Sequence, residues 1–168
     1  MTRVVIALGS NLGDRGANLR AAVRELGQHG VRLDAWSWVW ETAPVPADQP
    51  AYLNAVVAGE TEIEPEPMLG VLKQIEWQLG RRPERRWGPR PIDLDLLFWG
   101  DARFESEQLT LPHPRITERG FVLAPLSEVL RGRLPVFGQT ALEVLAEIGC
   151  EGLTRTGELL TDQPHRGG

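Results

Sequence analysis

Apolar positions in the first third of the chain follow two different periods, which predict strands and helices. A nearly continuous apolar run over residues 3–9 is typical of a buried strand. Over residues 15–29 apolar side chains recur every three or four positions, which predicts an amphipathic helix with Asp14 as its N-cap. Residues 31–40 alternate apolar and polar positions, and residues 52–61 carry a further apolar run. The pattern therefore predicts a strand, a helix and two strands, in that order.

The remainder of the chain adds another helix, another strand and several shorter elements. A helix over residues 65–80 tolerates its two prolines because they lie in the first turn. Residues 92–99 form an apolar run with polar interruptions, which predicts the next strand. The elements expected after it are a short strand around Phe104, helices over residues 121–130 and 140–148, and a weakly patterned tail over residues 150–168.

The order of these elements predicts the fold class. Strand, helix, strand, strand, helix, strand is the succession of the split βαβ arrangement. We therefore expect an α+β fold, ferredoxin-like, with a mainly antiparallel sheet flanked by helices. A length of 168 residues is that of one domain, since domains have roughly 100–200 residues. No repeat or linker divides the chain, so we expect a single domain over residues 1–168.

Composition narrows the class of protein. Acidic residues outnumber basic ones 23 to 18, and the net charge of −5 argues against a protein that coats nucleic acid. No apolar run approaches the roughly 18 residues of a membrane span, and the first residues do not resemble a signal peptide. Cys150 is the only cysteine, which excludes an internal disulfide and a cysteine-based zinc site. We therefore expect a cytoplasmic protein that engages neither membrane nor nucleic acid. We also expect a monomer, although composition does not determine the oligomeric state.

Two acidic residues interrupt the predicted strand over residues 92–99. Asp93 and Asp95 are two positions apart, so in a strand their side chains project from the same face. Leu94 and Leu96 alternate with them and point into the core. Adjacent carboxylates repel each other unless a cation lies between them, and Mg²⁺ takes one or two carboxylates together with water and substrate phosphates. The pair is a candidate magnesium site; the alternative is the solvated face of an edge strand.

A cluster of arginines directly precedes this acidic pair. Five of them fall within ten positions: Arg81, Arg82, Arg85, Arg86 and Arg90. The planar guanidinium group binds phosphate oxygens through two parallel hydrogen bonds and keeps its charge at working pH. Carboxylates that hold a metal ion beside arginines that hold phosphates are typical of phosphoryl transfer. The alternative is a surface charge run paired with the glutamates of residues 60–66.

Five short segments occur in a characteristic order along residues 3–130. They are Gly9-Ser10-Asn11-Leu12-Gly13, Tyr52-Leu53-Asn54-Ala55, Arg86-Trp87-Gly88-Pro89-Arg90 followed by Asp93-Leu94-Asp95, Pro112-His113-Pro114, and Arg119-Gly120-Phe121. Each is weak alone, but together they closely resemble the 6-hydroxymethyl-7,8-dihydropterin pyrophosphokinase family. The resemblance implies an ATP-dependent diphosphotransferase that transfers pyrophosphate from ATP to the hydroxymethyl group of the pterin and releases AMP, in folate biosynthesis.

The resemblance also implies roles for individual residues. The residues that match the ligands of two Mg²⁺ ions are Asp93 and Asp95. The residues that match the pterin site are Thr42, Val45, Tyr52, Asn54 and Phe121, with Tyr52 and Phe121 on the two sides of the ring. The residues that match the ATP side are Glu76, Arg86, Trp87, Arg90, His113 and Arg119. The residues expected to act in catalysis are Arg81, Arg90, Asp93 and Asp95, with ATP as co-substrate.

Two departures from the family pattern and two rival functions stay open. The segment over residues 82–85 is shorter by a residue than the commonest pattern, so either Arg82 or Arg85 is the second loop arginine. Pro114 stands where some members carry an aromatic residue, which leaves an adenine contact in question. The rivals are an RNA-binding module, since ferredoxin-like sheets include RNA-binding domains, and a regulatory domain that binds a nucleotide without chemistry.

Overall fold

The computed structural model describes residues 1–43, 50–80 and 90–161, and these form a sheet between two layers of helices. In chain order the elements are β1 (Thr2–Ser10), α1 (Arg15–Gln28), β2 (Val31–Trp36), β3 (Trp40–Thr42), β4 (Tyr52–Thr61), α2 (Pro65–Gln78), β5 (Asp93–Trp99), β6 (Phe104–Glu105), β7 (Thr110–Leu111), α3 (Gly120–Val129), α4 (Ala141–Ile148) and β8 (Leu153–Arg155). A short 3-10 turn precedes α3.

The larger sheet has the order β5-β1-β4-β3-β8, and β2 also pairs with β4. Every described pairing in this sheet is antiparallel. The strands β6 and β7 form a separate two-stranded ribbon. The predicted ferredoxin-like α+β fold, with a mainly antiparallel sheet flanked by helices, is confirmed.

Each face of the sheet is covered by its own pair of helices. Alternate residues of β1 belong to different clusters: Ile6 packs with α1 and α2, whereas Val5 packs with α3 and α4. This alternation follows from the two-residue period of a strand. On the first face, α1 buries Leu26 and α2 buries Leu72, and both side chains are 0% exposed. Both faces of the central strands are therefore covered, which explains why β1 is almost wholly apolar.

Helix ends follow the local chemistry that the sequence indicates. Asp14 is the N-cap of α1, and its Oδ1 accepts a hydrogen bond from the Ala17 amide at 3.1 Å, as predicted. The helix α4 begins with a capping box in which Thr140 and Glu143 exchange side-chain and backbone bonds. Such caps satisfy amides that have no partner inside the helix.

The strand predicted over residues 31–40 is two strands, because the ladder breaks after Trp36. Ser37 Oγ accepts a hydrogen bond from the Val56 amide at 2.9 Å, in place of a backbone partner. Glu128 of α3 then accepts bonds from the Trp38 amide at 3.2 Å and from the Trp40 indole at 2.9 Å. Contacts with residues far away in sequence therefore end the first strand and position the second. The local apolar pattern gives no information about such contacts.

The segment expected to be a weakly patterned tail includes a strand. In β8, Leu153 pairs with Thr42 and Arg155 pairs with Trp40, so β8 becomes the edge of the larger sheet beside β3. Leu160 follows and is 1% exposed in the core under α1 and α2. Three residues are too few to show an alternating pattern, so the sequence could not indicate this strand.

No helix in the described ranges is long and apolar enough to cross a membrane.

Gly59 gives a test of the close approach between β4 and β2. A Cβ at this position would overlap the Arg32 carbonyl oxygen and lie 2.8 Å from Leu33 Cα. We expect Gly59→Ala to lower the free energy of unfolding by roughly 3 kcal/mol, at the upper end of overpacking effects. Gly70→Ala, in α2 with no atom within 4 Å of its Cβ, is the control and should raise stability by about 0.5–1 kcal/mol. Urea unfolding measures both; equal effects would contradict the crowding.

Candidate active site

One cavity of about 370 Å³ contains most of the described side chains singled out above. It lies where the end of β1, the end of β3 and the starts of β4 and β5 meet, because antiparallel pairing sets Gly9 opposite both Asn54 and Asp93. Arg119 and the first residues of α3 close it from the other helix layer. The predicted residues that line it are Thr42, Tyr52, Asn54, Asp93, Asp95, Arg119 and Phe121.

The two carboxylates share a face of β5, as the strand period predicts. Both Asp93 and Asp95 line the cavity, whereas Leu94 and Leu96 are only 5% and 2% exposed in the opposite core. Arg90 Nη1 donates a hydrogen bond to Asp93 Oδ1 at 3.0 Å. Burial lowers the pKa of Arg90, but the attractions of Asp93, Tyr52 and Glu76 together outweigh burial, so the pKa is raised.

The donor set fits a hard divalent cation that is shared with a phosphate ligand. Within the three described ranges no group of three or more His, Cys, Asp or Glu side chains could enclose a metal ion. Two carboxylates beside an open cavity are therefore an incomplete shell. Mg²⁺ suits such a site because it binds one or two carboxylates and completes its coordination with water and substrate phosphates.

Aromatic and amide groups form the other side of the cavity. Tyr52 and Phe121 supply aromatic rings, and the Arg119 guanidinium lies 5.6 Å from the Phe121 ring centroid. Asn54, 6% exposed, donates from Nδ2 to the Thr42 hydroxyl. A Cβ on Gly9 would lie 3.2 Å from the amide oxygen of Asn54. Glycine at this position keeps the space above the amide open.

His113 is not among the residues that line the cavity, but it lies within the field of Asp95. Burial lowers the pKa of His113, and Arg119 and Arg115 lower it further, although Asp95 acts in the opposite direction. Its Nδ1 accepts a bond from the Arg115 amide at 3.2 Å. The neutral ring therefore carries its proton on Nε2. His113 is thus a neutral donor at neutral pH.

Asn11 connects the segments on which the site depends, and sequence reasoning assigned it no role. Its amide donates to the Arg90 carbonyl at 3.0 Å, and its Oδ1 accepts from the Arg90 amide at 2.7 Å. Its Nδ2 donates to the Pro50 carbonyl at 3.4 Å. At 1% exposure these bonds are shielded from water. The sequence signal for Asn11 was its place in the turn after β1, within the family segment Gly9-Ser10-Asn11-Leu12-Gly13.

The remaining predicted residues lie elsewhere or are not described. Glu76 is buried on α2 and bonds to the backbone of β5. Pro114 lines a separate surface pocket between β6 and residues 136–137. The predicted site residues that lie outside the described ranges are Val45, Arg81, Arg86 and Trp87, and the open choice between Arg82 and Arg85 lies there too.

The chain is similar in sequence to proteins of one family. The family model for 7,8-dihydro-6-hydroxymethylpterin-pyrophosphokinase (HPPK) matches residues 5–131. A 2-amino-4-hydroxy-6-hydroxymethyldihydropteridine pyrophosphokinase of Methylorubrum extorquens is 45% identical over 157 residues, which cover 92% of this chain and 99% of that protein. A mitochondrial folate synthesis bifunctional protein of Arabidopsis thaliana is 51% identical over 128 residues, covering 76% of this chain and 23% of that protein.

A solved structure shares the fold. The crystal structure of a Plasmodium falciparum HPPK-DHPS triple mutant with SDX-DHP matches with a TM-score of 0.72 at 15% identity, over 92% of this chain and 47% of that chain. This chain spans between 23% and 27% of the length of three plant relatives that it matches. The family match over most of the chain and the relative aligned over nearly its whole length lead to one conclusion: the chain belongs to the HPPK family.

Proposed function

We propose that this protein transfers the pyrophosphoryl group of ATP to the hydroxymethyl group of 6-hydroxymethyl-7,8-dihydropterin, releasing AMP, in folate biosynthesis. The observation that supports this most directly is a single cavity that joins a carboxylate pair to an aromatic and amide pocket. Family membership supports the same reaction. We further propose that the chain acts as one domain and as a cytoplasmic monomer.

The aromatic side of the cavity is suited to a flat heterocycle. Stacking between Tyr52 and Phe121 contributes about 0.5–1.5 kcal/mol beyond the burial of the ring. Asn54 offers both a donor and an acceptor, which the polar edge of a pterin needs. Its bond to Thr42 holds the amide in one orientation. We assign Val45 to the same pocket on the family resemblance.

The charged side of the cavity is suited to a triphosphate. Asp93 and Asp95 would hold two Mg²⁺ ions, which supply Lewis acidity to the phosphates and lower the pKa of the hydroxymethyl group. Arg90 and Arg119 would bind phosphate oxygens, and His113 would donate its Nε2 proton in a hydrogen bond to the leaving AMP. We assign Arg81, Arg86 and Trp87 to ATP on the family resemblance.

In the proposed reaction the hydroxymethyl oxygen attacks the β-phosphorus of ATP. The bond between the α–β bridging oxygen and the β-phosphorus breaks, AMP leaves with that oxygen, and the hydroxyl proton passes to solvent. Among the described residues that line the cavity, none is an evident general base. The arginines and the aromatic rings would exclude water from the β-phosphorus, which suppresses ATP hydrolysis.

A coupled assay tests the proposed function. The full chain is mixed with ATP, Mg²⁺ and 6-hydroxymethyl-7,8-dihydropterin, and nucleotides and pterins are separated by chromatography. We expect AMP and pterin diphosphate in a one-to-one ratio, with no AMP when the pterin is omitted. ADP as the product would indicate transfer of a single phosphoryl group. Nucleotide binding without any product would favour the regulatory domain, and both results would contradict the proposal.

Thr42→Val tests the orientation of the pterin amide pocket. Valine has the shape of threonine but cannot accept the Asn54 hydrogen bond, so the amide loses its fixed orientation. We expect pterin affinity to fall by about 1 kcal/mol, the value of one hydrogen bond, with ATP affinity unchanged. Fluorescence titration with each ligand measures this. Thr110→Val, at an exposed position of β7, is the matched control; equal losses for both ligands would contradict the assignment.

A further inference from the structure

A buried carboxylate on α2 is bonded to the backbone between the two aspartates. Glu76 is 7% exposed, and its Oε2 accepts a hydrogen bond from the Leu94 amide at 2.8 Å. Leu94 is the residue that separates Asp93 from Asp95. A glutamate is almost never fully buried unless its carboxylate is paired, and here the carboxylate is paired with a main-chain amide.

The position of β5 explains why this amide needs a side-chain partner. The strand β5 is the terminal strand of the larger sheet and pairs only with β1 among the described strands. Amides alternate along a strand, so every second one points away from β1. The Leu94 amide bonds to Glu76 of α2, the helix that packs against β5. A carboxylate forms a stronger bond to an amide than a neutral acceptor does.

We infer that Glu76 is a positioning residue that holds the backbone of Asp93-Leu94-Asp95 so that both carboxylates face the cavity. This inference rests on the proposed function, and it gives Glu76 a role different from the nucleotide contact that the family resemblance implies. The bond fixes the peptide between the two carboxylates, so a change in its direction would move both together. Residues that orient metal ligands in this way typically change metal affinity or activity by about 10- to 100-fold when replaced.

Three substitutions separate the hydrogen bond from the charge. Glu76→Gln keeps the length of the side chain and an oxygen acceptor but removes the charge. Glu76→Asp keeps the charge but withdraws the acceptor by one methylene group. Glu76→Leu removes both while filling a similar volume. Glu66→Leu, at an exposed position in the first turn of α2, is the matched control for a leucine on this helix.

Two readouts besides turnover decide the role. Amide hydrogen exchange at Leu94, measured by NMR on the full chain without ligands, reports the bond itself. Binding of Mn²⁺, measured by electron paramagnetic resonance with ATP whose α–β bridge is a methylene group, reports the carboxylates. Circular dichroism and thermal unfolding show that each variant is folded.

We expect the Leu94 amide to exchange at least tenfold faster in Glu76→Leu, with Mn²⁺ binding weakened about 10- to 100-fold. In Glu76→Gln, Leu94 exchange and Mn²⁺ affinity should both stay within about threefold of the unmodified protein. The glutamine oxygen can still accept the Leu94 bond, and residues behind metal ligands act by holding those ligands in place. Glu76→Asp should bind Mn²⁺ more weakly than Glu76→Gln does. The control should change neither readout.

The opposite results overturn the inference. Stronger Mn²⁺ binding by Glu76→Asp than by Glu76→Gln would mean that the charge matters and the bond does not. A raised KM for ATP with unchanged Mn²⁺ binding would make Glu76 a nucleotide contact. If Glu76→Leu does not fold, the ranking of the other two variants decides. Leu94 exchange is independent of turnover, so it is separable from failure of the proposed reaction.

Discussion

Asp95→Asn is expected to lower turnover by at least about 10²–10³-fold, the loss that follows removal of one preorganised charge-stabilising group. Asparagine keeps the shape of the side chain and one oxygen, but it lacks the negative charge that attracts a hard divalent cation. The side chain faces the cavity and not the core. The substitution therefore removes electrostatic attraction without opening a void, and the fold should be retained.

The measurement for Asp95→Asn is the initial rate of AMP formation over a range of Mg²⁺ concentrations. The variant should also bind Mn²⁺ more weakly in the presence of the methylene-bridged ATP analogue. Asp101→Asn, at an exposed position just after β5, makes the same chemical change outside the cavity and should have no effect. A rate for Asp95→Asn close to that of the unmodified protein would show that this carboxylate holds no catalytic metal ion.

The strand period was enough to predict the arrangement of the carboxylate pair. An apolar run interrupted at two positions two residues apart requires both acidic side chains on one face. The structure brings that face into one cavity with the aromatic residues of β4 and α3. Helix and strand bounds were also predicted closely where an apolar pattern lasts for two or more turns, as in α1 and α2. Such patterns mark the buried face of an element, and that face can be read from one continuous stretch of sequence.

The contacts that support the site were not predictable from local pattern. Glu76 and Leu94 are 18 positions apart, and Asn11 and Arg90 are 79 apart. A buried glutamate and an exposed glutamate on a helix look alike in a sequence, because the partner that permits burial lies on another element. The sequence therefore predicts candidate site residues, while the contacts that hold their backbones in place required the three-dimensional structure.

Arg90 makes backbone contacts that position its segment and a side-chain contact to Asp93. A substitution of its side chain therefore changes the second kind of contact alone. Its main-chain amide and carbonyl bond to Asn11, and these bonds do not depend on the side chain. Its guanidinium bonds to Asp93, which lines the cavity. Replacement of the side chain should therefore leave the end of the segment before β5 in position.

Arg90→Ala is expected to lower turnover by about 10²–10³-fold, equivalent to roughly 3–4 kcal/mol of transition-state stabilisation. The guanidinium would neutralise charge on the phosphates, and alanine cannot. Arg90→Lys should recover only part of the rate, because an ammonium group keeps the charge but not the two parallel hydrogen bonds. Rates of AMP formation at saturating substrates measure both variants, with Arg131→Ala, at an exposed position after α3, as the control.

Binding of Mn²⁺ to the free protein separates Arg90→Ala from Asp95→Asn. Arg90 lies 3.0 Å from Asp93 and competes with a cation for the same carboxylate. Without Arg90, no guanidinium at this position offsets the negative charge of Asp93. In the absence of nucleotide, Mn²⁺ affinity should therefore rise or stay level, while turnover falls. Asp95→Asn should lower both quantities. If Arg90→Ala instead weakened Mn²⁺ binding, Arg90 would be needed to hold Asp93 in place, and its main role would be structural rather than electrostatic.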